Sequence, residues 1–127
     1  MKLLLDTNAL IWWLSDDRRL GPRARRRLTD QRTITMATIV SIWEVTMKHR
    51  SAKMRQSGSS LLPILAGQQI ELLGVRSAHI CAIDDLLMMH NDPFDHLILA
   101  QAKVEGATLM TSDVQMTRYG VPCIGTD

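Results

Sequence analysis

The chain has 127 residues, 46% hydrophobic and 22% charged, which suits one domain, residues 1–127, with a buried core and excludes a disordered or low-complexity composition. The apolar run Leu3–Leu5 stops at Asp6, and no other run approaches the roughly 20 residues of a membrane span, so we expect a cytoplasmic protein without a membrane segment. The net charge of +2 conceals a basic part, residues 1–55 with 12 Lys/Arg and 5 Asp/Glu, and an acidic part, residues 56–127 with 3 Lys/Arg and 8 Asp/Glu.

The first part of the chain alternates between apolar runs typical of strands and segments with helical spacing. Lys2–Leu5 predicts a buried strand, and Asn8–Leu14 predicts a helix packed on the sheet. An arginine-rich helix is predicted from Gly21-Pro22 to about Asp30, because proline suits the first helical position. Thr33–Met36 then predicts the second strand.

A third helix is predicted to begin at Thr38 or Ser41 and to end near His49. Its apolar residues recur at helical spacing and are predicted to face the core: Ile39, Ile42, Trp43 and Met47. Glu44 lies within this apolar segment. Because an ionised carboxylate is costly to bury without a compensating cation, Glu44 is a candidate functional residue, the alternative being an exposed position on the helix.

The second part of the chain continues the alternation. A helix is predicted over about Ser59–Gln68, a strand over Ile70–Val75 and another helix over Ser77–Asp85. Ala107–Met110 predicts a further strand, and Tyr119–Ile124 predicts an edge strand, where its proline is tolerated. Strands separated by helices favour an α/β fold with a parallel sheet and helices on both faces.

The most specific local signal is the segment His90–Ala102, which begins His-Asn-Asp-Pro-Phe-Asp. Asp92 is predicted to be a helix N-cap, Pro93 the first helical residue and Asp95 the third, near the positive end of the helix dipole. The core face of this helix is predicted to contain Phe94, Leu97, Ile98 and Ala102. Asp95 is a candidate functional acid, and the alternative is a capping-box residue that reaches back to Asp92.

Four acids beside apolar runs are candidate metal ligands: Asp6, Glu44, Asp95 and Asp113. Asp6 and Asp113 each follow a predicted strand, and parallel sheets of this kind bind ligands beyond the carboxyl ends of their strands. Carboxylates gathered in one crevice repel each other, so the four acids indicate a hard divalent cation, Mg²⁺ or Mn²⁺. Such sites support phosphoryl transfer to water. Helix capping is the alternative for Asp6 and Asp113.

Basic residues form two clusters in the first part of the chain. One contains Arg18, Arg19, Arg23, Arg25, Arg26 and Arg27, and the other contains Lys48, Arg50, Lys53 and Arg55. Such clusters suit contacts with phosphates around an acidic site, and the alternative is two solvated helix faces. Only their position relative to the acids decides between these interpretations.

Two pairs of residues have simpler interpretations. Cys81 and Cys123 are predicted to be reduced core residues rather than a disulfide or a metal pair, because a chain of this size needs no covalent link. Trp12 and Trp13 are adjacent, so a helix points them in different directions. Either both serve the core, or one of them contacts a protein partner.

Four motifs, in this order along essentially the whole chain, resemble those of PIN-domain ribonucleases. They are Leu-Leu-Asp6-Thr7-Asn8-Ala, Ser-Ile-Trp-Glu44-Val, Asp92-Pro-Phe-Asp95 with the nearby Leu-Ile-Leu-Ala-Gln-Ala, and Thr111-Ser-Asp113. Their order and spacing are most similar to bacterial VapC toxins of type II toxin–antitoxin pairs. The resemblance implies an α/β/α sandwich around a mainly parallel sheet, a Mg²⁺- or Mn²⁺-dependent endoribonuclease, a homodimer, and a VapB-like antitoxin that blocks the acidic pocket.

The resemblance also assigns roles to individual residues. It implies that the metal-binding and catalytic carboxylates are Asp6, Glu44, Asp95 and Asp113. We expect supporting polar roles for Thr7, Asn8, Asp92 and Ser112, and RNA contacts from Arg18, Arg19, Lys48 and Arg50. Related sequences often have Arg in place of His96, so the resemblance does not support an acid–base role there, and we expect His90 and His96 at the surface or beside the site.

Two other classes of function remain open at this stage. A catalytically idle PIN-like domain would bind RNA without metal-dependent turnover. A phospho-acceptor signalling domain has a similar length, but it usually needs adjacent acids after its first strand and a lysine after its last strand. Here Asp6 stands alone and no lysine follows Lys103, which argues against that class.

Overall fold

Five short strands form one sheet in the computed structural model, which describes residues 1–127. They are β1 (Lys2–Leu5), β2 (Ile34–Thr38), β3 (Glu71–Leu73), β4 (Thr108–Met110) and β5 (Cys123–Ile124). Their order in the sheet is β3-β2-β1-β4-β5, and every neighbouring pair is parallel. The first strand is therefore central, which explains why Leu3–Leu5 is fully buried. The predicted parallel sheet is confirmed.

Six helices cover both faces of this sheet. They are α1 (Thr7–Leu14), α2 (Pro22–Thr29), α3 (Ile39–Arg50), α4 (Gly58–Ala66), α5 (Ser77–Ile83) and α6 (Pro93–Glu105), and a 3-10 turn spans Met116–Tyr119. Successive strand residues point to opposite faces. Leu3 and Leu5 thus belong to one core, which α1, α2 and α4 complete, while Leu4 belongs to a second core with α6. The predicted α/β/α sandwich is confirmed, and no helix has the length and apolar character to cross a bilayer.

Helix α3 is oriented differently from the prediction. Trp43 and Met47, which were predicted to face the core, are 49% and 42% exposed. The buried residues are Val40, Ser41, Ile42, Glu44 and Val45. The buried stripe of α3 therefore includes two polar residues. A prediction from the spacing of apolar residues alone assigns the wrong face of the helix to the core. One close packing contact fixes this helix against α4, because a Cβ on Gly58 would lie 2.0 Å from Thr46 Oγ1.

The largest differences from the predicted elements occur near the sheet edges. The strand predicted over Ile70–Val75 is limited to β3, and the segment predicted as a strand from Tyr119 is preceded by the 3-10 turn and reduced to β5. Gly120 has a φ of +75°, which ends the turn before that strand. Both cysteines are free thiols, but Cys81 is exposed. The prediction of a core position for Cys81 was wrong, because α5 buries His79 instead.

Candidate active site

The four candidate acids converge on one pocket of about 170 Å³ at the carboxyl edge of the central strands. The pocket is lined by Asp6, Thr7, Asn8, Glu44, Lys48, Asp92, Asp95, Asp113 and Met116. Five of these residues are acids and one is a lysine. The sequence-predicted acids, separated by more than 100 residues along the chain, are therefore brought together by the order of the strands.

A larger groove of about 610 Å³ lies elsewhere on the molecule, between Trp13, Leu28 and Ile70. It contains a single acid, Asp30, whose carboxylate accepts hydrogen bonds from the Arg32 guanidinium. Such a groove lacks the converging charged groups that catalysis needs. The smaller acidic pocket is therefore the candidate active site.

Asp6 occupies the junction between β1 and α1. Its backbone N–H donates to the Met110 carbonyl at 3.1 Å, which ties the junction to β4, and its Oδ1 accepts from the Ala9 N–H at 2.8 Å as the N-cap of α1. Burial raises the pKa of Asp6 to about 6, while hydrogen bonds from Thr111 and Ala9 oppose the rise. Asp95 and Glu44 raise it further by repulsion. Asp6 is thus both a cap and a member of the acid cluster.

Glu44 is held from two sides. The Thr7 hydroxyl donates to Oε1 at 2.6 Å and also lies 3.0 Å from the Ser41 hydroxyl. On the other side, Lys48 Nζ lies 2.9 Å from Oε2, one helical turn further along α3. Glu44 is 4% exposed, so the alternative of an exposed helix residue was wrong. The Glu44 carboxylate raises the pKa of Lys48, which keeps the only cation among the lining residues charged at neutral pH.

Asp92 and Asp95 have separate tasks at the start of α6. Asp92 Oδ1 accepts from the N–H groups of Phe94 at 2.9 Å and Asp95 at 3.2 Å, which confirms Asp92 as the N-cap. The Asp95 carboxylate does not reach back to Asp92. Its Oδ2 lies 3.0 Å from His90 Nε2 instead, so the capping-box alternative was wrong. Burial raises the pKa of Asp95, and the His90 hydrogen bond opposes that rise.

Asp113 follows β4 and combines a local role with its place in the pocket. Its Oδ1 accepts from the Gln115 N–H at 2.9 Å and shapes the turn that leads to Met116–Tyr119. The neighbouring Ser112 is exposed and does not line the pocket, unlike the other three predicted supporting residues, Thr7, Asn8 and Asp92. The structure therefore shows no contact that would support the role expected of Ser112.

The basic residues expected to contact RNA lie at different distances from the acids. Lys48 lines the pocket, whereas Arg50 is exposed at the end of α3. Arg18 and Arg19 follow α1, a helix that begins at the pocket and leads away from it over about 10 Å. There the Arg19 guanidinium lies 5.1 Å from the Trp12 ring and pairs with Asp17.

Sequence reasoning expected His90 and His96 at the surface or beside the site, but it missed the cluster that they form with Tyr119 behind Asp95. His90, His96 and Tyr119 meet there, with His90 Nδ1 2.6 Å and His96 Nε2 3.2 Å from the Tyr119 hydroxyl. Tyr119 carries no signal in the sequence that links it to the acids. The positions of His90 and His96, on either side of the Asp92–Asp95 motif, were the indications available.

The donor set of the pocket fits a hard divalent ion that keeps part of its hydration shell. The available ligands are carboxylate and hydroxyl oxygens, which Mg²⁺ and Mn²⁺ prefer. No three acids, histidines or cysteines are spaced as a ready-made cage. Mg²⁺ needs none, because it usually retains several waters and binds one or two carboxylates together with substrate phosphates.

Comparison with known proteins identifies the family. The PIN domain family profile matches residues 3–122. The chain belongs to the PIN domain family. This membership removes the phospho-acceptor alternative. No protein of curated function matches the chain in sequence.

Solved structures share the fold of this PIN domain at low sequence identity. VapBC2 from Rickettsia felis, bound to a promoter DNA fragment, has a TM-score of 0.76 and 17% identity, with 98% of each chain covered. DNA-bound VapBC from Salmonella typhimurium has a TM-score of 0.70 and 16% identity, covering 100% of this chain and 99% of that one. VapBC-1 from nontypeable Haemophilus influenzae has a TM-score of 0.69 and 16% identity, covering 99% and 98%.

Proposed function

We propose that this PIN domain is a Mg²⁺- or Mn²⁺-dependent endoribonuclease and the toxin of a VapBC-type pair. The observation that carries the proposal is the convergence of Asp6, Glu44, Asp95 and Asp113 on one pocket with a single lysine among them. Burial and mutual repulsion raise the pKa of both Asp6 and Asp95, so the cluster favours a bound cation. Structural similarity to the VapBC proteins supports the toxin assignment.

Each side chain of the pocket has a distinct task in this proposal. A bound divalent ion supplies charge neutralisation at the scissile phosphate and activation of the attacking water. Asp6, Glu44, Asp95 and Asp113 would provide the carboxylates that hold it. Thr7 fixes Glu44 through Oε1, and Glu44 holds the Lys48 ammonium at 2.9 Å beside the acids. Cleavage by water leaves a 5′-phosphate and a 3′-hydroxyl.

We further propose a VapB-like antitoxin and a homodimer for this protein, acting in the cytoplasm. The similar proteins from Rickettsia felis and Haemophilus influenzae are VapBC proteins, which supports an antitoxin partner. The surface also carries large exposed apolar side chains, among them the consecutive residues Leu87, Met88 and Met89. Contiguous apolar residues at a protein surface are typical of contacts with other protein chains.

The proposed activity is tested by incubating the purified protein with total RNA and transfer RNA in Mn²⁺, Mg²⁺ or EDTA. We expect cleavage with either ion, none in EDTA, and recovery when Mn²⁺ is restored. Glu44→Gln, purified in parallel, controls for contaminating nuclease and should be inactive. Cleavage that persists in EDTA would contradict the metal requirement, and an inactive but folded wild type would favour the idle RNA-binding alternative.

Lys48 gives a prediction with two opposite effects. Lys48→Met should bind Mn²⁺ up to about tenfold more tightly, because it removes a competing positive charge from the pocket. It should nevertheless cleave RNA about tenfold more slowly, since the contact with RNA expected of Lys48 is lost. Lys48→Arg is the matched control and should stay close to wild type in both properties. Calorimetric titration and cleavage rates measure the two effects, and an unchanged cleavage rate in Lys48→Met would exclude contact with RNA.

A further inference from the structure

His90 connects the acid cluster to a buried part of the fold. It lies just before α6, with its side chain 12% exposed. Its Nε2 lies 3.0 Å from Asp95 Oδ2, and its Nδ1 lies 2.6 Å from the Tyr119 hydroxyl. Both ring nitrogens therefore have partners, and the imidazole forms a rigid link between Asp95 and Tyr119.

Tyr119 determines which ring nitrogen of His90 carries the proton. The Tyr119 hydroxyl oxygen accepts from the backbone N–H groups of Met89 at 3.2 Å and His90 at 3.1 Å. Its own hydrogen is therefore free to be donated to a ring nitrogen, and His90 Nδ1 at 2.6 Å is a closer acceptor than His96 Nε2 at 3.2 Å, which favours donation to His90. In neutral His90 the other nitrogen must then carry the proton, so Nε2–H donates to Asp95 Oδ2.

We infer that His90 is a positioning residue for Asp95. By holding Oδ2, His90 fixes the rotation of the carboxylate and leaves Oδ1, which accepts no hydrogen bond from the protein, for the ion or the substrate. Such outer contacts orient the carboxylates that bind metals. The inference rests on the proposed function for its consequence in catalysis, but the hydrogen-bond arrangement itself is a property of the protein alone.

A purely structural role for His90 is a weaker explanation of the same contacts. The segment that carries His90 is already tied to Tyr119 by the two backbone N–H groups of Met89 and His90. The imidazole adds little to that attachment. What it adds is the bond to Asp95, whose carboxylate has no other hydrogen-bond donor.

Two amide substitutions separate these roles, because each retains one side of the imidazole. His90→Gln places an amide near the position of Nε2 and can still donate to Asp95. His90→Asn places its amide near Nδ1 and can reach Tyr119 only. We expect His90→Asn to weaken Mn²⁺ binding about 10-fold to 100-fold in calorimetry and His90→Gln to stay within about threefold of wild type.

Cleavage kinetics and thermal unfolding give further readouts for the same pair. His90→Asn should lower kcat with little change in KM for RNA, because it misplaces a carboxylate rather than a substrate contact. The two variants should unfold at similar temperatures. Equal Mn²⁺ affinity in His90→Asn and wild type would overturn the inference, as would equal losses in both variants, which would indicate a structural role.

Nitrogen-15 NMR of the metal-free wild type tests the arrangement without variants or activity. We expect wild-type His90 to carry its proton on Nε2, and we expect this preference to disappear in Tyr119→Phe. An Nδ1–H tautomer in the wild type would overturn the inference. If the wild type binds Mn²⁺ but cuts no RNA, the proposed function fails and calorimetry still decides the role of His90. If the wild type binds no Mn²⁺, the carbon-13 chemical shift of the Asp95 carboxyl group tests the role of His90. This shift should change in His90→Asn and stay the same in His90→Gln.

Discussion

Replacing Asp95 by asparagine should lower the rate of RNA cleavage by about a thousandfold or more while leaving the protein folded. Asparagine has the same shape, and the N–H of residue 95 can still donate to Asp92 at the start of α6. The loss of a negative charge from a cluster that already raises the pKa of Asp95 should not destabilise the fold. Cleavage rates at saturating Mn²⁺ and thermal unfolding in EDTA measure the two properties.

Asp84→Asn is the matched control for this substitution. Asp84 is an exposed acid at the end of α5, outside the pocket, so its variant should cleave RNA at the wild-type rate. Comparing Asp95→Asn with Asp84→Asn separates a loss of cleavage specific to Asp95 from a general effect of removing one negative charge. Retention of full activity in Asp95→Asn would remove Asp95 from the site.

The positions of Asp6, Asp95 and Asp113 were predictable because local rules determine them. Asp6 follows a short apolar run that fits a buried strand, and Asp92-Pro93 is a strong helix start that places Asp95 in the first turn. Parallel strands then bring such junctions to one edge of the sheet. The prediction needed only strand ends and helix starts, which short stretches of sequence encode.

The orientation of α3 was not predictable from apolar spacing, because its buried stripe includes the polar residues Ser41 and Glu44. Ser41 and Glu44 are buried among polar partners, while Trp43 turns outward. The centroids of the Trp43 and Phe94 rings lie 4.6 Å apart, with the two rings steeply inclined to each other. The proximity of Lys48 and Glu44 was, in contrast, present in the sequence as an i, i+4 pair. Assigning Lys48 to a general basic cluster concealed that pairing.

Contacts between distant segments set the limit of sequence reasoning. His90 and Tyr119 are 29 residues apart, and Thr38 Oγ1 donates to Gln101 Oε1 at 2.5 Å across 63 residues. No pattern within either segment indicates its partner, because strand order and the packing of α6 against the sheet and the 3-10 turn determine which segments meet.

Replacing Asp6 by asparagine should stabilise the metal-free protein at neutral pH. Burial raises the pKa of Asp6 from 3.8 to about 6, so ionising it in the folded protein costs about 3 kcal/mol relative to the unfolded chain. Asparagine avoids that cost and can still accept the Ala9 N–H, since it is an equally good N-cap. We expect Asp6→Asn to raise the free energy of unfolding at pH 7 by about 2–3 kcal/mol.

The stability difference between Asp6→Asn and the wild type should depend on pH, because folded and unfolded Asp6 lose their proton at different pH values. Between about pH 3.8 and 6 the unfolded Asp6 loses its proton while the folded Asp6 keeps it, so the wild type loses stability as pH rises through that window. Below it both states are protonated and the advantage of the variant should vanish.

Urea unfolding in EDTA from pH 4 to pH 7 measures the effect. An advantage that stays constant down to pH 4 would show that the gain does not come from ionisation of Asp6. Added Mn²⁺ should reverse the order at pH 7, because the wild type is stabilised by an ion that the variant binds less well. The acid cluster would then lower the stability of the metal-free protein, and the protein would regain that stability when the ion binds.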